Sequence, residues 1–132
     1  MILLDTHFWL WWIDNQDRLP PSYVPHLVRA ASNESLFLSA ISCWEVALLV
    51  SRGRLQLSQS LGEWVEQALE PSGVQAIDVS PQIGLEANLL PGIFHADPAD
   101  RLIVATARVH NLTLATVDAK ILAYPHVKLL RP

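Results

Sequence analysis

Short apolar runs rich in Leu, Ile and Val recur along this chain, each followed by a longer stretch with helical patterning. This alternation limits the fold more than any other feature of the sequence. Strands joined through helices run parallel, because a parallel pair needs a crossover of a dozen or more residues to return the chain to the same end of the sheet. The strand candidates are 1–5, 36–40, 74–79, 112–116 and 127–130, and helical patterns fall at 7–14, 22–32, 42–51, 61–70, 81–89, 98–110 and 119–123. The expected fold is therefore α/β, with a central, mainly parallel five-stranded sheet. Pro20-Pro21, Pro71-Ser72-Gly73 and Pro91-Gly92 read as turns. With no long linker and no internal repeat, a length of 132 residues points to a single domain over 1–132.

Composition removes several classes of function. At 51% hydrophobic and 17% charged residues the chain can bury a core, which excludes bulk disorder. Thirteen acids against nine Lys and Arg give a net charge of −4, so nucleic acid cannot be held by a basic blanket and any such partner must be gripped locally. The longest stretches without a charged residue are ten residues, half of the ~20 that a membrane span needs. Asp5 and the lack of a basic leader make the first segment a strand and not a signal peptide, so the expected location is cytoplasmic. The single cysteine, Cys43, lies in an apolar run and reads as a small buried side chain.

The acids carry the chemistry. Asp5 closes the first strand, Glu45 falls in the first turn after the second, Asp97 and Asp100 open the 98–110 helix, and Asp118 follows the 112–116 strand. In a parallel sheet the strand ends that feed helices share one edge, where the active sites of open α/β folds form. Carboxylates crowded there need a cation or protons to offset their repulsion, and hard oxygen ligands suit Mg²⁺ or Mn²⁺. Simple capping is the competing reading. Ser42-Cys43-Trp44-Glu45 fits a capping box, and Asp97-Pro98-Ala99-Asp100 fits an Asp N-cap with Pro at the first helical position. Their joint placement on one expected edge favours a site. Asp5, Glu45, Asp100 and Asp118 are thus the candidate catalytic and metal-ligating residues; setting them aside leaves the remaining acids equal in number to the bases.

Four blocks in order carry a resemblance. They are Leu3-Leu4-Asp5-Thr6-His7 with Leu10-Trp11-Trp12; Ser42-x-Trp44-Glu45-Val46-Ala47 with Gly53-Arg54-Leu55; His95-x-Asp97-Pro98-Ala99-Asp100-Arg101-Leu102-Ile103 with Ala105-Thr106-Ala107; and Leu114-x-Thr116-x-Asp118. Together they resemble the PIN-domain ribonucleases, and among them the VapC-type toxins of toxin–antitoxin pairs. The resemblance implies a three-layer α/β/α sandwich and Mg²⁺- or Mn²⁺-dependent endonucleolytic cleavage of RNA. Asp5, Glu45 and Asp100 match the family's three core acids, Asp118 the more variable fourth, and Thr116 a hydroxyl position near the site. It further implies a cognate antitoxin, a homodimer, and contact with DNA only through the antitoxin.

Metal ions held by the four acids could activate a water, whereas a metal-free acid–base pair would need one strongly raised carboxyl pKa. Arg52, Arg54, Arg101, Arg108 and Lys120 are candidates for phosphate contacts. Trp9, Trp11, Trp12, Trp44 and Trp64 could stack bases, but the spacing of Trp9 and Trp12 on an apolar helix is explained more cheaply by core packing. The Trp64 helix and the apolar segment 8–13 are candidate surfaces for a second copy or a docking helix. Two other classes compete. A haloacid-dehalogenase-like phosphohydrolase wants a second Asp where His7 stands. A receiver-like signalling domain wants acids adjacent to the first strand and an acceptor after the third, where Asp78 is the sole candidate.

Overall fold

The computed structural model describes residues 1–132 and contains one four-stranded sheet, ordered β3-β2-β1-β4. The strands are β1 (Ile2–Leu4), β2 (Leu36–Ser39), β3 (Val74–Ile77) and β4 (Thr113–Ala115), and every neighbouring pair is parallel. The helices are α1 (Thr6–Asp14), α2 (Val24–Ser32), α3 (Ala40–Ser51), α4 (Leu61–Gln67), α5 (Pro81–Asn88), α6 (Pro98–Val109) and α7 (Ala119–Leu122). The expected fifth strand at 127–130 is not a strand. β4 offers only three residues, and the segment meets one of them: Leu114 donates to Lys128 O at 2.8 Å and accepts from Leu130 N at 2.9 Å, a single bridge between Leu114 and Leu129.

The period of two along a strand divides the core in two. Ile2 and Leu4 of β1, Leu36 and Leu38 of β2, and Ala115 of β4 face a cluster with Phe8, Trp9, Leu27, Val46 and Trp64 from α1 to α4. Leu3 and Leu114 face the opposite cluster with Ile103, Val104 and Ala107 of α6 and Ile121 of α7. Right-handed crossovers require this split. The chain steps from β1 to β2 to β3 in one direction and then returns past β1 to β4, so the helices of the return journey cover the other face. The α/β/α layering follows from that single reversal. The turn into β3 depends on Gly73, whose φ of 77° is left-handed and where a Cβ would lie 3.0 Å from that of Ala31.

The apolar segment 8–13 is core more than surface. Phe8 and Trp9 are fully buried, with the Trp9 ring edge-on to Trp64 at 4.9 Å between centroids. Trp9 Nε1 donates to Ala68 O at 2.7 Å and Trp64 Nε1 to Asp14 Oδ2 at 2.9 Å, so both indoles spend their single donor inside the fold. Cys43 is half-buried against the same cluster.

Candidate active site

The chain order reverses between β1 and β4, so the crevice at their carboxyl ends is the topological switch point where open α/β sheets bind ligands. Asp5 follows β1 and Thr116 follows β4, and the Thr116 hydroxyl donates to Asp5 Oδ2 across the junction. Asp5 Oδ1 accepts from Phe8 N at 2.8 Å, which caps α1. Asp5 is therefore both a helix cap and a nearly buried carboxyl group at the crevice, 6% exposed.

Glu45 reaches the crevice by a route that the capping-box pattern did not anticipate. Ser39, at the end of β2, already caps α3 by accepting from Ile41 N at 3.2 Å, so the helix starts before Ser42 and the expected box does not form. Ser42 and Glu45 are instead interior helical residues facing the β1–α1 junction. Thr6 Oγ1 donates to Glu45 Oε1 at 2.5 Å and lies 2.8 Å from Ser42 Oγ.

The second capping pattern is present as expected. Asp97 accepts from Asp100 N at 2.9 Å at the start of α6, and this presents the Asp100 carboxylate inward, with Oδ2 2.7 Å from His95 Nε2. Asp118 caps α7, accepting from Lys120 N at 2.9 Å and Ile121 N at 3.2 Å. One cleft of about 190 Å³ is lined by Asp5, Thr6, His7, Glu45, Asp97, Asp100, Ile103 and Asp118. All four expected site acids thus meet, with Asp97 as a fifth. Asp78, beyond β3, is exposed and is not among the lining residues.

Burial is the largest influence on the three inner acids, and it raises each carboxyl above its ordinary range. For Asp5 the bonds from Thr116 and Phe8 N oppose that rise, while Asp100 adds to it. For Glu45 the Thr6 bond opposes it, and Asp100 and Asp97 add. For Asp100 the His95 bond opposes it, and Asp97 and Asp118 add. The cluster is short of positive charge and consists of hard oxygen donors, which is the chemistry a Mg²⁺ or Mn²⁺ ion fits. Thr116, Thr6 and His95 each hold one carboxylate on a separate protein donor, and no three of the side chains converge on a single point.

Two of the arginines that were candidates for phosphate contacts are occupied elsewhere. Arg101 Nε donates to Ala87 O at 2.8 Å, and its Nη1 to Phe94 O at 3.0 Å and His95 O at 3.2 Å. It straps down the loop that carries His95. Arg108 is bonded to Glu86 at 2.8 Å and to the carbonyl of His126 at 2.5 Å. Arg52, Arg54 and Lys120 are exposed and outside the two ion pairs of the chain, His95–Asp100 and Arg108–Glu86. No sequence pattern marks Thr6 and Ser42 as the hydroxyls that hold Glu45, or Arg101 as the strap on the His95 loop. Thr6 carries only the weaker signal of its place, a hydroxyl directly after the acid that ends β1.

A family model described as PIN domain matches residues 2–127. Ribonuclease VapC22 of Mycobacterium tuberculosis is 34% identical over 125 residues, which are 95% of this chain and 92% of that protein. Among solved structures, DNA-bound VapBC from Salmonella typhimurium superposes with a TM-score of 0.73 at 17% identity, over 98% of this chain and 96% of that one. VapBC2 from Rickettsia felis, bound to a DNA fragment from its promoter, gives a TM-score of 0.71 at 24% identity, over 98% of each chain.

Proposed function

The chain belongs to the PIN-domain family, and from that premise we propose that it is a metal-dependent endoribonuclease acting as the toxin of a toxin–antitoxin pair. One observation carries the reading: carboxylates from four separate segments, Asp5 after β1, Glu45 inside α3, Asp97 and Asp100 at the start of α6 and Asp118 after β4, line one small cleft at the switch point of the sheet. The ribonuclease name of the relative that matches nearly the whole chain, and the VapBC names of the structural neighbours, support it.

Asp5, Glu45, Asp100 and Asp118 are the residues that would hold Mg²⁺ or Mn²⁺. Such an ion supplies a lowered pKa for the attacking water and an offset for charge on the scissile phosphate and leaving oxygen. The chain's own groups do the positioning. Thr116 and the Phe8 amide fix both oxygens of Asp5, Thr6 fixes Glu45, and the Asp97 cap with His95 fixes Asp100. Asp118 stands on the exposed side, where the RNA strand enters. Arg52, Arg54 and Lys120 remain as the free cations for phosphate contacts.

The antitoxin covers the acidic cleft, and a basic side chain on it offsets the unneutralised acids. A second copy of the chain completes the toxin, with the exposed Leu85 and Leu89, one turn apart at the end of α5, as an apolar patch available to it. DNA is reached only through the antitoxin, and the location is cytoplasmic; no helix is long and apolar enough to cross a membrane.

RNA cleavage by the purified protein, with and without EDTA and with Mn²⁺ returned, tests the reading. Cleavage should vanish in the chelator and recover with the ion. Asp5→Asn and Asp100→Asn should each lose roughly 100-fold or more, since even residues that only orient metal ligands cost 10–100-fold. Full activity in EDTA, or in Asp5→Asn, rejects it.

A further inference from the structure

Beside the acid cleft lies a second cavity of about 320 Å³, near the lower end of the ~300–1,000 Å³ typical of small-ligand pockets. It sits between the loop at 93–95 and α7, lined by Ile93, Phe94, His95, Lys120, Ala123 and Tyr124. Its wall is aromatic. Phe94 packs on His95 at 4.3 Å and on Tyr124 at 4.8 Å between ring centroids. The wall is also fixed in advance: the Tyr124 hydroxyl donates to Pro91 O at 2.5 Å, and Arg101 grips the carbonyls of Phe94 and His95. Ile93 projects from it 97% exposed, a branched apolar side chain that nothing in the chain covers.

We propose that this pocket is a nucleobase subsite, receiving one unstacked base next to the phosphate held over the acid cleft. The inference rests on the endoribonuclease reading and names how that site grips its substrate. Two features tie the pocket to the cleft. His95, a wall of the pocket, is bonded at 2.7 Å to Asp100, which lines the cleft. Lys120 lies two residues beyond Asp118, with its backbone N–H bonded to that carboxylate. A strand whose phosphate meets the acids therefore has its neighbouring base within reach of the aromatic wall. The exposed Lys120 ammonium, which has no carboxylate partner, faces the adjoining backbone charge. A polyanion with flat apolar faces matches this combination of rings, an aliphatic clamp and one free cation. An anionic peptide would gain only the cation and would meet the acids beside it. Such a subsite admits a base only where the RNA is unpaired, so cuts fall in loops and single strands.

The test uses the Glu45→Gln protein with a short single-stranded RNA of mixed sequence containing 4-thiouridine, irradiated and mapped by mass spectrometry. Crosslinks should fall at 93–95 or at Tyr124. Crosslinks confined to other surfaces, such as the Arg52 and Arg54 turn, or none at all, overturn the proposal. In parallel, removing the base beside the cut site should weaken binding to the otherwise unsubstituted Glu45→Gln protein by roughly 5- to 100-fold, the worth of one stacked base. The same removal should cost little once Phe94→Leu or Ile93→Asp is added. Ile93→Asp keeps the test clear of folding, because that side chain is in water. Equal losses in all three proteins reject the subsite. If wild-type protein cuts RNA but the abasic change has no effect, the pocket fails and the nuclease reading stands. If crosslinks map to 93–95 but no RNA is ever cut, the nuclease reading fails and the RNA-binding pocket stands.

Discussion

Thr6 Oγ1 lies 2.5 Å from Glu45 Oε1 and 2.8 Å from Ser42 Oγ, so one hydroxyl at the start of α1 fixes the acid that α3 sends into the cleft. A hydroxyl that donates to Glu45 has only its lone pairs left for Ser42, which orders the pair: Ser42 donates to Thr6, and Thr6 donates to Glu45.

Thr6→Val keeps the shape and removes that donor. Glu45 then loses its only protein partner, and ribonuclease activity should fall roughly 10- to 100-fold, as when other groups that orient metal ligands are removed. Thr6→Ser should restore most of it. An unchanged rate in Thr6→Val shows that Glu45 is oriented by something else.

Stability of the metal-free protein should fall as pH rises through the range of the acid cluster. Asp5, Glu45 and Asp100 all have carboxyls raised by folding, with burial the largest cause, so the folded state holds protons more tightly than the unfolded chain does. Their contribution is fully present below the ordinary carboxylate range and is lost as pH climbs through the raised values. Urea midpoints against pH measure it, and the slope should be shallower in Asp5→Asn, which keeps the Phe8 cap. Saturating Mg²⁺ or Mn²⁺ should restore stability near neutral pH, by about 2.7 kcal/mol at a hundredfold excess over Kd.

Arg101→Met should destabilise the fold by roughly 2–4 kcal/mol, because it strips hydrogen bonds from the carbonyls of Ala87, Phe94 and His95. The released loop also carries His95, so activity should fall more than the loss of folded protein explains. Denaturant unfolding and specific activity of the folded fraction separate the two. An Arg101 bound to RNA phosphate would instead leave stability unchanged.

Trp64→Ala should cost roughly 3–5 kcal/mol, the range for emptying a buried indole site. It removes the edge-on contact with Trp9 and leaves Asp14 without its indole donor. RNA binding by the remaining folded protein should not change, because both rings lie inside the core.

Much of this site was legible because backbone capping and metal ligation ask for the same residues at the same places. Asp97-Pro98-Ala99-Asp100 announced a helix start, and the cap itself turns Asp100 into the cleft. The strand ends announced Asp5 and Asp118. The Ser42-x-x-Glu45 capping box, the competing reading of Glu45, does not form, because β2 ends three residues earlier at Ser39 and that serine caps α3. The role of Arg101 was hidden for a different reason. Its partners are backbone carbonyls, which every residue possesses, so no side-chain pattern marks them. The last strand failed on pairing: 127–130 has the composition of a strand, but it meets β4 at the single bridge between Leu114 and Leu129.

The pairing of β1 with β4 sets when activity can exist at all. Ile2 registers with Thr113 and Leu4 with Ala115, so the first strand waits for a partner made near the far end of the chain. Asp5 lacks its Thr116 donor, and Asp118 does not yet exist, until translation has passed β4. A nascent chain therefore cannot assemble the acid cluster before β4 and α7 have left the ribosome, however early Asp5 and Glu45 emerge.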